Sequence, residues 1–121
     1  MEFVFDNDRP IYIQLVEQLE KYIINGYFTP GAKIPSVREL ASLTKVNPNT
    51  MQKALSELEI IGLIYTERTN GKFVTDDAKL ISSRREKYAI DKAKKYLSDM
   101  EELGVSRADA ITYLQKNGGK K

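Results

Sequence analysis

Two asparagines, a threonine, a glutamine and a lysine crowd into VNPNTMQKAL, residues 46–55. A primary amide carries a donor and an acceptor together, so Asn49 or Gln52 can bond bidentately to the edge of adenine. Arginine does the same with guanine, and Arg38 lies a short way upstream. Thr50 and Lys53 complete a polar row beside the apolar Met51, Ala54 and Leu55. Ser36 and Lys33 have the chemistry to hold phosphate, aided by a helix N-terminus. Further on, Thr69 to Lys72, including Asn70 and Gly71, could touch backbone or minor groove. This is the chemistry of base-edge and phosphate recognition, not of making and breaking bonds.

The inventory argues against catalysis. The chain has no histidine and no cysteine, which removes the commonest general base, the commonest metal ligand and any thiolate. No phosphate loop, nucleophile elbow or paired-carboxylate motif occurs. Asp76-Asp77 and Glu101-Glu102 read as solvated surface. The expectation is a protein that is not an enzyme and uses no cofactor and no metal. No apolar run approaches the roughly 18–20 residues of a membrane span, and MEFVFDNDRP lacks the basic start and apolar stretch of a signal peptide. A cytoplasmic protein is expected.

These residues need elements to position them. Pro10 suits the first turn of a helix, with Asp8 as its cap. Tyr12, Leu15, Val16, Leu19, Tyr22 and Ile23 then recur at helical spacing, and Asn25-Gly26 ends the run. YFTPGAKIP is a turn-rich connector. Ser36 and Glu39 have capping-box spacing, which predicts a short second helix over Val37–Leu43 burying Val37, Leu40 and Ala41. Thr44-Lys45-Val46 make a turn. Asn47 caps a third helix with Pro48 at its first position. Met51, Ala54, Leu55, Leu58 and Ile61 form its core stripe, and Gly62 stops it. The period then alternates, predicting strands over Leu63–Glu67 and Lys72–Thr75 around a turn containing Asn70-Gly71. Three helices and a hairpin make a winged helix-turn-helix, so the fold class is mainly α with a small β-hairpin. A long charged helix from about Ala78 and a short one over Arg107–Lys116 follow, and the terminal GGKK should fray. The domains are residues 1–76, a winged helix-turn-helix, and residues 77–121, a short helical segment.

Each polar residue also has a plainer reading. Ser36 and Asn47 are caps first. Arg38, Gln52 and Lys53 taken singly are ordinary exposed side chains, and Asn70-Gly71 is a hairpin turn. Residues 1–76 hold 8 basic and 10 acidic side chains, a balance of −2. That slightly favours a winged-helix protein-interaction module without DNA binding. Against it, Lys33–Thr75 holds 6 basic and 4 acidic side chains, with the acids Glu57 and Glu59 late in the third helix.

The ordered string from Pro30 to Val74, PGAKIPSVRELASLTKVNPNTMQKALSELEIIGLIYTERTNGKFV, resembles the DNA-binding domain of GntR-family bacterial transcription regulators. PIYIQLVEQLEKYIINGYFTPG and VNPNT are similar to the YtrA-like subfamily. The resemblance implies a winged helix-turn-helix bound as a homodimer to a roughly palindromic operator in double-stranded DNA, most simply as a repressor. It places DNA contacts at Ser36, Arg38, Asn47, Asn49, Thr50 and Gln52, with Gly71 as the wing glycine. Pro48 departs from the basic residue many relatives carry there. Thr69 and Asn70 replace a glycine and a basic residue in the wing, and Lys72 restores the charge one step later. Residues 77–121 are too few to build the ligand-binding domain of larger relatives. In the YtrA-like branch such a segment serves dimerisation, which makes Tyr88, Tyr96, Leu97 and Leu103 candidate contacts, unless they pack on their own subunit. A small-molecule effector, if there is one, would sit at the subunit interface.

Overall fold

Ser36 and Asn47 fix where the two central helices begin. Ser36 Oγ accepts the Glu39 N–H at 3.2 Å while Glu39 Oε1 accepts the Ser36 N–H at 2.9 Å. This capping box starts α2, Val37–Thr44. Lys45 then takes the left-handed conformation (φ 57°), donating its N–H to the Ala41 and Ser42 carbonyls, and Val46 N–H reaches the Ala41 carbonyl at 3.0 Å. That closure normally falls to glycine, because a Cβ crowds the left-handed backbone. Asn47 Oδ1 accepts the Asn49 N–H at 2.7 Å, Pro48 occupies the first turn, and α3 runs Pro48–Ile61 to Gly62. These caps and the third helix lie where the sequence puts them. The second ends one residue later than expected.

The computed structural model describes residues 1–119; the fraying expected of Lys120 and Lys121 lies outside the described residues. The remaining elements are α1 (Ile11–Ile24), β1 (Ile64–Glu67), β2 (Gly71–Val74), α4 (Ala78–Glu102) and α5 (Arg107–Asn117). Mostly helical with one small antiparallel sheet, the fold is a winged helix-turn-helix with a helical C-terminal segment. Contacts divide it into two compact units, residues 1–85 and 86–121, so the first unit takes in the start of α4. None of the described helices is long and apolar enough to cross a membrane.

In the first unit, α1, α2 and α3 enclose Leu15, Leu19, Ile23, Leu40, Met51, Ala54, Leu55 and Leu58, all buried, and Leu63, Ile64 and Val74 close the core from below the wing. Tyr12, Val16, Tyr22, Val37 and Ile61 are only half-buried, at the edges of their stripes. The start of α1 differs from expectation. Pro10 sits at the cap position without a side-chain cap, and Asp8 turns its N–H to Asp6 Oδ1. The buried Gln14 does the tying instead: its amide accepts the Asp6 N–H and donates to the Asp6 and Arg9 carbonyls. Gln18 serves the N–H and carbonyl of Val4 in the same way, and Tyr22 Oη serves those of Glu2. Four helical residues rise ~6 Å and two extended residues ~6.6 Å. A row at i, i+4 and i+8 on a helix can therefore pair with alternate residues of an extended arm.

β1 and β2 pair from Ile64 with Val74 to Glu67 with Gly71, so the turn is Arg68–Asn70 and Gly71 is already in the strand. The connector adds a third short rung. Lys33 bridges Phe73, Ile34 N–H reaches the Lys72 carbonyl at 2.9 Å, and Val74 N–H reaches the Ala32 carbonyl at 2.9 Å. The start of α4 is latched to α1. Ile81 is buried, Arg84 forks onto the buried Glu20, and Arg85 donates to the Ile24 carbonyl at the end of α1. In the second unit Ser106 caps α5 by accepting the Asp109 N–H, and Tyr96 Oη donates to the Ala110 carbonyl at 2.6 Å.

Candidate nucleic-acid interface

The tight turn Lys45–Val46 sets α2 and α3 as a helix-turn-helix. Met51, Ala54, Leu55 and Leu58 hold one side of α3 in the core, which leaves Asn49, Gln52 and Lys53 exposed on the other and Thr50 half-exposed. Gln52 Nε2 donates to Ser56 Oγ at 3.2 Å, one turn on, a bond weak enough to exchange for a ligand. Lys53 Nζ lies 3.8 Å from the centroid of the Tyr12 ring, a cation–π contact that bends its charge toward α1. Asn47 and Ser36 commit their side-chain oxygens to caps, so Asn47 retains only its amide N–H2 for a ligand. Arg38 is exposed in the first turn of α2. The Glu39 carboxyl titrates below its ordinary value, held there by the Ser36 backbone N–H, the Ser36 hydroxyl and, less, the charge of Lys33.

The wing brings other candidates together. Lys33 runs across Gly71: a Cβ on Gly71 would stand 3.0 Å from Lys33 Cε, and Gly71 itself has φ 104°. Glycine there answers both the backbone and the lysine stem passing over it. Asn70 Nδ2 approaches Glu67 Oε1 at 3.4 Å. Lys72 faces away from the tip. Its Nζ lies 3.2 Å from Glu59 Oε1 on α3 and 2.8 Å from Thr66 Oγ1, and its side chain is 15% exposed. Among the basic side chains near the turn of the hairpin, Arg68 is the exposed one that sequence reasoning passed over, along with Lys45 in the helix-turn-helix turn. The signal was its place: Arg68 directly follows the first strand and opens the turn at 68–70.

In the second unit Tyr88 and Leu97 are half-buried and Tyr96 is tied to Ala110 of the same chain, while Leu103 is 75% exposed. Ile90, Ile111, Tyr113 and Leu114 are exposed apolar side chains there as well.

A capped helix-turn-helix, a polar row on its second helix and a hairpin beside it define a winged helix-turn-helix of the class that regulates transcription by binding DNA. The chain belongs to the gntR family of bacterial regulatory proteins, whose family model matches residues 11–74. It is 35% identical over 118 residues to the HTH-type transcriptional repressor YtrA of Bacillus subtilis, covering 93% of this chain and 91% of that protein. A GntR-family transcriptional regulator from Listeria monocytogenes superposes with a TM-score of 0.84 at 38% identity, covering 93% of this chain and 98% of that one. The DNA-binding domain of AraR in complex with operator ORX1 superposes with a TM-score of 0.57 at 31% identity, covering 62% of this chain and 96% of that one.

Proposed function

We propose that this GntR-family protein is a homodimeric repressor that reads a roughly palindromic operator in double-stranded DNA and acts by occluding the promoter. The carrying observation is the exposed row on the N-terminal half of α3, presented on a fold shared with a domain bound to its operator. In this reading residues 1–76 are the DNA-binding domain. Asn49, Thr50 and Gln52 meet base edges from the major groove. Arg38 reaches a base or phosphate. Lys33, Ser36, Asn47 and Lys53 hold backbone, and Asn70, Gly71 and the exposed Arg68 bring the wing to the groove beside it. Lys72 serves the wing by another route.

Residues 77–121 serve dimerisation. Leu103 is the candidate whose exposure suits a partner, whereas the Tyr96 hydroxyl holds α5 to α4. The protein is cytoplasmic and not an enzyme. An effector, where one acts, binds between subunits.

Selection from a random duplex library, followed by anisotropy titration, tests this. The expected result is a twofold-symmetric consensus bound about 10³-fold or more tighter than random DNA. Gln52→Ala should relax one consensus position, at a cost of about 1–3 kcal/mol. Arg38→Ala should weaken binding. Equal affinity for all duplexes would overturn the reading in favour of a protein-interaction winged helix, the alternative that the −2 balance of residues 1–76 supports. Sedimentation of the wild type and of Leu103→Asp checks the dimer.

A further inference from the structure

Lys72 stands where a basic residue of the wing would be expected to touch DNA, yet its ammonium is turned into the protein. Thr66 and Lys72 are direct cross-strand partners in the hairpin, and Glu59 lies near the C-terminus of α3. The three side chains close a triangle. Thr66 Oγ1 donates to Glu59 Oε2 at 3.0 Å, Lys72 Nζ donates to Glu59 Oε1 at 3.2 Å, and Lys72 Nζ donates to Thr66 Oγ1 at 2.8 Å. The hydroxyl gives its one proton and accepts another, so every bond is chemically consistent.

The wing needs such a tie. Of β1 only Ile64 is buried, and a hairpin outside a core is marginal by itself. The connector bonds one edge of β2 through Ala32–Ile34; the side chains of the outer rungs add the Tyr65–Phe73 ring stack, 5.7 Å between centroids, and this triangle.

We infer that Glu59, Thr66 and Lys72 form a clamp that fixes the wing against α3, so that Lys72 is a positioning residue and not a phosphate contact. The inference rests on the reading that this face binds DNA. A wing held in place before binding loses less freedom on binding, and affinity rises without a new contact. The consequence runs against simple electrostatics. Neutralising an acid on a DNA-binding surface should strengthen binding; here Glu59→Gln weakens it.

The test uses the full chain and a duplex selected by the wild type. Glu59→Gln and Lys72→Gln should each lose about three- to fivefold in affinity, the scale of a partly exposed pair, with the slope of log K on log salt unchanged. Lys72→Arg should restore wild-type affinity. In the free proteins, amide exchange at Asn70 to Phe73 should quicken in both Gln variants, a readout that needs no DNA. Tighter binding by Glu59→Gln with a steeper salt slope would mean that the freed lysine goes to phosphate, and would overturn the clamp. A slope reduced by about 1 in Lys72→Gln would do the same. If the wild type selects no duplex, the DNA reading fails first, and this role for the clamp goes with it.

Discussion

The sharpest stability prediction concerns the latch between α1 and α4. Glu20 is a buried carboxylate, 1% exposed, and Arg84 forks onto it with the Nε and Nη2 donors along one edge of its guanidinium while remaining 22% exposed. Arg84→Met keeps most of the apolar stem and removes the charge, leaving the carboxylate buried without the guanidinium. Removing one partner of a fully buried pair costs about 3–5 kcal/mol. Water already reaches part of Arg84, so the cost falls at or just below that range, about 2–3 kcal/mol. For a unit of this size, each ~1 kcal/mol shifts the melting temperature by about 4–8 °C, so a fall of roughly 10–20 °C is expected. The double variant Glu20→Leu/Arg84→Met removes both charges and should recover most of the loss, since a well-packed apolar pair often matches a buried ion pair. Urea unfolding followed by far-UV circular dichroism measures all three proteins. Stability of Arg84→Met within about 0.5 kcal/mol of the wild type would refute the reasoning, and so would a double variant no better than the single.

Ser36→Ala should cost about 1 kcal/mol by opening the capping box, seen as a lower urea midpoint. Glu39 adds a pH signature: its folded carboxyl titrates low, so its contribution is fully present above the ordinary carboxylate range and is lost as pH falls through the lowered value. Melting curves of the wild type and Glu39→Gln should therefore converge in acid, and a constant gap would contradict this. Arg68→Ala should lower the salt slope of operator binding by about 1 while leaving the selected consensus unchanged; an altered consensus would make Arg68 a base reader. Gln14→Leu removes the bonds to the Asp6 and Arg9 backbone, and chymotrypsin should then cut after Phe5 about tenfold faster or more, given ~1 kcal/mol for each bond. An unchanged cleavage rate would show that the arm is held without Gln14.

What the sequence made legible was local. Ser36 with Glu39, and Asn47 with Pro48, are signals contained within four residues, and they placed two helix starts correctly. The alternation after Gly62 likewise announced the hairpin. Pairings between distant segments left weaker marks. The third rung of the sheet comes from Ala32–Ile34, inside a stretch whose Pro30-Gly31 reads as a turn. Asp8 has the type and place of a cap, but Pro10 takes the cap position and the Asp8 N–H turns back to Asp6 Oδ1. In α4, read from sequence only as a long charged helix, Arg84 and Arg85 pack on α1 through charge and hydrogen bonds, which apolar periodicity does not register.

The candidate site divides along the same line. Asn49, Thr50 and Gln52 could be placed from sequence because a helix with a known start and a known apolar stripe leaves little freedom for its other face. The wing could not be treated that way. A two-stranded hairpin has few buried residues to fix register, and one step of register decides whether a lysine faces outward or back. Counted as charge, Lys72 belongs with the DNA contacts. Paired across from Thr66 and one helix away from Glu59, it belongs to the scaffold that holds the wing. The exposed basic side chains left near the turn are Arg68, just past the end of the first strand, and Lys33 beside Gly71. Charge composition near a binding face is thus a poor guide to contacts until the acids beside it are accounted for. Here Glu39 sits in a cap and Glu59 in the clamp, so the apparent near-balance of Lys33–Thr75 understates how its basic residues divide between scaffold and surface.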